Sequence, residues 1–175
     1  MFKLQFTVAG VHEVLRTFSR WTEGVEDLGP AFESIAKDFS QISKDQFESE
    51  GKYGSGGWAS LAKGYGAWKA KAYPGAKILE RDGWLKGALT GTEKLYRIEE
   101  IGKHELQLGA NLPYGLYHQT GTRKMPARPP IQLTEDDKTR WAKIVHKYLF
   151  ELAKALAAQE RAAEDELRQH MGGVW

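Results

Sequence analysis

Apolar residues at Phe2, Leu4, Phe6 and Val8 alternate with Lys3, Gln5 and Thr7. A period of two is the pattern of a half-buried strand. The period then lengthens. Val11, Val14, Leu15, Phe18, Trp21, Val25 and Leu28 recur every three or four residues, which predicts an amphipathic helix. Gly29-Pro30 interrupts it. A second apolar stripe follows at Phe32, Ile35, Phe39 and Ile42, either a separate helix or the continuation of a kinked one. Ile78, Leu79, Leu85 and Leu89 predict a short helix broken at Gly83. The run "EKLYRIEEIGKHELQLGA" reads as a β-hairpin turning at Gly102-Lys103, with Leu106 and Leu108 on one face.

The last element has the clearest boundary. Thr134 precedes Glu135, Asp136 and Asp137, a threonine cap followed by acids at the positive end of a helix. Trp141, Val145, Tyr148, Leu152 and Ala155 continue the four-three spacing, and Ile144 and Leu149 widen the stripe. Beyond Leu156 the same positions are polar or small: Gln159, Ala162, Glu166. The first half of this helix is expected to pack on the domain and the second half to stand clear. The order strand, helices, hairpin, helix predicts an α+β fold with helices packed on a small antiparallel sheet and a long C-terminal helix. One domain is expected over residues 1–157 and a polar helical extension over 158–175.

Two segments depart from this regular patterning. "GKYGSGGWASLAKGYGAWKAKAYPG" is glycine-rich yet carries Trp58, Tyr65, Trp68 and Tyr73. A flexible linker would lack such rings. The prediction is an extended loop over about 49–77 whose aromatics are covered either by a neighbouring subunit or partner, or by the loop's own domain. The second segment, "LPYGLYHQTGTRKMPARPP", runs from Leu112 to Pro130. Pro113 favours an extended Leu112, one or two helical turns follow, and they end at Gly121, a residue able to take positive φ. Pro126, Pro129 and Pro130 make "MPARPPI" extended and stiff, as at a sheet edge. Arg128 would then be held outward, suited to a carboxylate.

Composition narrows the chemistry. There is no cysteine, which excludes disulfides, thiolate metal sites and a cysteine nucleophile. His12, His104, His118, His146 and His170 show no i, i+4 pair and no HExxH spacing. The acids of "TEDDK" are explained as a helix cap. No GxSxG elbow is present, and nothing singles out a nucleophile for His118. No cofactor, no metal and no enzymatic activity are therefore expected. A net charge of +2 carries no global nucleic-acid signature, although Arg123, Lys124 and Arg128 form a local basic cluster. No apolar run approaches the ~20 residues of a membrane span, and the N-terminus lacks the apolar core of a signal peptide. The expected setting is a cytoplasm.

Several of these residues fall in a familiar order. Trp58 and Leu61 come first, then Trp68 and Lys69. Ile78, Leu79, Gly83, Leu85 and Leu89 follow, then Tyr114, His118 and Gly121, and finally Pro126, Arg128 and Pro129. Over roughly residues 48 to 137 this resembles the phage virion morphogenesis family, the small tail-completion or neck proteins of tailed bacteriophages. Pro130 departs from the pattern, because an aromatic commonly follows Arg-Pro there. The resemblance implies a structural α+β subunit of a homo-oligomeric ring, six-fold by analogy, around the DNA channel. Its implied partners are a tail terminator or tail tube protein, head–tail connector or portal proteins, and the DNA that passes through. The implied setting is the virion tail or neck, with the host cytoplasm during assembly. Trp58, Tyr65, Trp68, Tyr73, Arg123, Lys124 and Arg128 would be the interaction residues. Tyr114, His118, Gly121, Pro126 and Pro129 would shape the motif. Two alternatives are an assembly factor that does not stay in the virion and a DNA-contacting channel protein.

Overall fold

The computed structural model describes residues 2–6 and 27–171. Its organising element is helix α1 (Gly29–Glu48), which opens directly on Gly29-Pro30. Proline is tolerated in a first turn because its missing N–H has no intrahelical partner there. The 29–48 stripe is thus a helix with its own start. The helix predicted over Val11 to Leu28 lies outside the described residues except for Asp27 and Leu28, of which Leu28 precedes α1 and is buried. Phe32, Ile35, Ala36, Phe39, Ile42 and Phe47 are buried along one face of α1. They meet Leu85, Ala88 and Leu89 of α4 (Trp84–Thr90), Trp141, Val145 and Leu149 of α6 (Glu135–Met171), and Leu106 and Leu108 in a single apolar cluster.

The sheet is small and antiparallel. Strands β2 (Arg97–Ile101) and β3 (Leu106–Ala110) form the predicted hairpin, and β1 (Phe2–Phe6) pairs on the other side of β3. In register, Ala110 faces both Phe2 and Arg97, and Leu108 faces Leu4 and Glu99. The central strand buries Leu106, Leu108 and Ala110 against the helices. The fold is α+β, with a long C-terminal helix.

The predicted aromatic loop is not a loop. After α1 the chain forms the single turn α2 (Lys52–Ser55) and the helix α3 (Lys63–Ala72). Glycines at 64 and 66 lower the local helix propensity, but the Ala and Lys around them are good helix formers. Gly83 likewise does not break a helix. It sits at φ +81° just before α4 and starts it.

Helix α6 is fixed to the body by a polar cluster built on the predicted Thr134 cap. The Thr134 hydroxyl accepts from the Asp137 N–H at 3.2 Å, and the Asp137 carboxylate accepts from the Thr134 N–H at 2.8 Å and hydroxyl at 2.7 Å. This is a reciprocal capping box. The other carboxylate oxygen of Asp137 accepts from Tyr53 Oη at 2.6 Å and Arg140 Nη2 at 2.7 Å. Arg140 also donates to both oxygens of Asp38 on α1, and the Trp141 indole N–H donates to Asp38 at 2.6 Å. Bonding to Asp38 in the first place, and to Asp137, holds the Arg140 pKa above its ordinary value. Burial alone would raise the Asp137 pKa, but the bonds from Tyr53, Thr134 and Arg140 outweigh it and hold the pKa below 3.8.

A depressed carboxyl pKa contributes stability that is complete above the unfolded value and is lost as pH falls through the folded one. Thermal stability should therefore fall as pH drops below about 4. Asp137→Asn should remove part of that dependence and cost about 1.5–3 kcal/mol at neutral pH, as for a hydrogen-bonded buried charge. Denaturant melts of both chains across pH 2–7 check this; identical pH profiles would sink the assignment.

Candidate functional site

The proline-rich segment crosses the body as a strap held from three sides. Helix α5 (Pro113–Thr120) ends as predicted at Gly121, φ +75°. A Cβ there would lie 2.8 Å from the Ala127 nitrogen, so only glycine lets the strap pass. On that side the His118 carbonyl accepts from the Arg128 N–H at 2.8 Å, and the Gln119 amide exchanges two hydrogen bonds with the Ile131 backbone. On the second side the Pro129 carbonyl accepts from the buried Gln46 amide and from the Trp58 indole, each at 3.0 Å.

The third contact is Arg128 itself. Sequence reasoning held it outward for a carboxylate. The structure turns it inward: it is 4% exposed, with Nε donating to the Ala59 carbonyl at 2.6 Å and Nη2 to the Ser60 carbonyl at 2.8 Å. Burial lowers its pKa. The strap joins no sheet edge either. Its one pairing is the Thr122–Met125 bridge just before it. Pro130 is fully buried, so the departure from the family pattern is absorbed in the interior.

Trp58 is also internal. It is 8% exposed and packs edge-to-face on Phe47 at 5.4 Å. Gly51, at φ +85°, makes room for it, since a Cβ would lie 2.3 Å from the indole. Trp58 and Arg128 therefore serve the chain's own packing and offer no surface to a partner. The other rings do offer one. Tyr65 and Trp68 on α3 are about half exposed and lie 5.5 Å apart, and Trp68 meets Tyr73 at 5.8 Å.

Between α3, the 79–85 turn and α5 opens a cleft of about 710 Å3. Of the predicted residues, Tyr65, Tyr114, His118, Lys124, Pro126 and Arg128 line it. Trp68 and Tyr73 extend the aromatic surface beyond Tyr65 and do not line the cleft, and neither does Arg123, which is exposed on the Thr122–Met125 turn. Arg81, Asp82, Trp84 and Met125, which the sequence reading did not single out as site residues, line the wall together with the motif residues Leu61, Lys69, Leu79, Gly83 and Leu85. The one visible signal was "ERDGW", where a charged pair meets a glycine and an indole. Arg81 and Asp82 form an ion pair at 2.6 Å, and Trp84 packs on Tyr96 at 5.7 Å.

The wall is firmly held. Lys69 is buried and its ammonium donates to the Lys77 carbonyl, while the Ile78 N–H donates to Glu50 at 2.9 Å. Leu79 sits between these anchors and the cleft at φ +62°, a left-handed conformation that costs a leucine about 1–2 kcal/mol. Burial lowers the Lys69 pKa, against the pull of Glu80 and Glu50. Burial first and Asp82 second raise the Tyr114 phenol pKa.

His118 carries no catalytic arrangement. Burial first, and the Arg128 guanidinium second, hold its imidazole pKa below 6.5, so the ring is neutral at pH 7. Its Nδ1 is buried with no hydrogen-bond partner, whereas a general base needs a partner there to fix its tautomer. Its ring rests against Tyr114 at 6.1 Å. Among the described residues no three His, Asp or Glu side chains converge as a metal site would require. None of the described helices is long and apolar enough to cross a membrane.

The described residues form an α+β scaffold that holds exposed rings around an open cleft. The chain belongs to the phage virion morphogenesis family, whose model matches residues 9–150. The match takes in the hairpin, the cleft and the packed half of α6. The family is one of virion structure and assembly rather than enzymatic activity, and membership associates the chain with the phage virion. Searches of curated proteins and of solved structures returned no match.

The two tryptophans should separate. Trp58→Ala should destabilise the isolated chain by about 3–5 kcal/mol, the usual cost of deleting a core aromatic. Trp68→Ala should cost about 1 kcal/mol or less, because half its surface is already solvated. Chemical denaturation of the two variants at low protein concentration measures both; equal losses would contradict the placement of the rings.

Proposed function

We propose that the chain completes the tail or joins it to the head at the neck, as a structural subunit of an oligomeric ring. The aromatic cleft carries this reading. Tyr65, Trp68, Trp84 and Tyr114 are exposed around it although the chain has a full core elsewhere. Clustered exposed rings with Met and Arg are the composition of a protein interface. The core is satisfied within one chain, so the rings are free to serve contacts between chains. Other copies of the chain, a tail terminator or tube protein, and connector or portal proteins are the partners that fit a neck subunit. A six-fold ring matches the symmetry expected there.

A second role has its own observation. Arg123 and Lys124 are exposed at the tip of the turn before the strap, where a basic pair can meet DNA in the channel.

Native mass measurement of the purified protein and imaging of mature virions test the main reading. The expected result is a ring of defined mass and a ring-shaped density at the neck. Absence from mature particles would point instead to an assembly factor. Trp68→Ala and Tyr65→Ala should each weaken self-association or tail completion by at least about tenfold, the loss typical of an interface hot spot. If DNA is contacted, Arg123→Ala and Lys124→Ala should each reduce the salt slope of binding by about one.

A further inference from the structure

Helix α6 runs unbroken from Glu135 to Met171, with neither proline nor glycine inside it. Its first half is packed: Trp141, Val145 and Leu149 are buried, and Leu152 is half-buried. From Lys154 to His170 every residue is exposed. At ~1.5 Å per residue this portion projects roughly 25 Å beyond the body. Its apolar stripe does not end with the packing. Leu156, Ala163 and Leu167 continue the line of Leu149 at helical spacings of seven and four, yet Leu156 is 39% and Leu167 is 63% exposed. Glu160 and Glu164 flank that line, and with Asp165 and Glu166 they outnumber Lys154, Arg161 and Arg168 by one.

The cleft has the opposite character. Its wall is aromatic and carries Lys69, Lys124, Arg81 and Arg128 against a single carboxylate, Asp82, which Arg81 already pairs. Lys69 and Arg128 are buried with their charges compensated by backbone carbonyls, so Lys124, which is exposed, is the cation open to a partner. Glu50 and Glu80 stand behind Lys69 and soften its field. The open volume is in the range that takes up several apolar side chains. A stiff helix anchored on α1 cannot turn back into its own cleft without breaking, so any such helix must come from another copy.

From this apolar and charge complementarity we infer that the projecting half of α6 of one copy docks in the aromatic cleft of the next. Leu156 and Leu167 enter among the rings, and Glu160 and Glu164 face Lys124. The inference rests on the ring reading and names its contact. Cleft and helix are different surfaces, so the contact is head-to-tail and closes into a ring when the rotation per copy allows.

The absence of cysteine makes the test specific. Leu167→Cys and Lys124→Cys are made in separate full-length chains, mixed and mildly oxidised. Docking predicts that the mixed disulfide, between position 124 of one chain and position 167 of the other, exceeds either self-linked species by about tenfold. It also predicts that the doubly substituted chain gives a ladder of covalent multimers. Leu156→Asp with Leu167→Asp should lower self-association at least tenfold without shifting the thermal midpoint. An oligomer that persists in the Asp variant, or forms with no mixed disulfide, overturns the docking and leaves the ring standing. An oxidised double variant that stays a single internally linked chain overturns docking between copies. A wild-type chain that remains monomeric at every concentration, and is absent from virions, removes both readings.

Discussion

The guanidinium of Arg128, buried against the carbonyls of Ala59 and Ser60, is the interaction on which the cleft depends. A buried cation needs compensation, and here two backbone dipoles supply it in place of a carboxylate. That arrangement holds only while residues 58–60 are immobile. Trp58 makes them so, by packing on Phe47 and by donating to the Pro129 carbonyl within the same strap. Trp58 in turn needs the left-handed Gly51 beneath it. The contacts form a closed circuit: the strap positions the loop, the loop neutralises the strap, and a glycine at each end gives clearance. Prolines on both sides of Arg128 reduce the backbone freedom lost in closing the circuit.

A second circuit fixes the direction of α6. Asp137 receives four hydrogen bonds, from Tyr53, Arg140 and both groups of Thr134, and Arg140 carries the connection on to Asp38 of α1. Apolar side chains of similar volume could match its stability, since buried ionic groups recover little net energy. They could not set an angle. Bonds with defined geometry to two other helices determine where the long helix points, and that matters for a helix whose second half is exposed along its length.

The regular elements were legible because their periods were long and unambiguous. The stripe from Phe32 to Ile42, the hairpin around Gly102, the Gly121 helix end and the Thr134 cap all read directly from residue type and spacing. Residues 49–77 were misread because glycine content masked two short helices, and short helices are settled by tertiary contacts more than by propensity. Arg128 was misread for a different reason. Sequence shows that an arginine is held on a stiff segment but not which way it faces, and its partners lie 68 and 69 positions away. Among the cleft residues, Arg81 and Trp84 had only the short ERDGW run to mark them and Met125 had no local signature, because a cavity between three segments exists only once they are brought together.

The position of Leu79 gives this rigidity a direction. A leucine at φ +62° is held against its preference, and the fixing bonds come from Lys69, Glu50 and the neighbouring backbone. The cleft wall is thus tied down by contacts within the chain. For an interface, such pre-organisation removes much of the ordering cost that association otherwise carries. Trp58 and Trp68, ten positions apart, then belong to separate processes. One ring closes the fold and is unavailable to a partner; the other lies on a helix whose inner face is already anchored through Lys69.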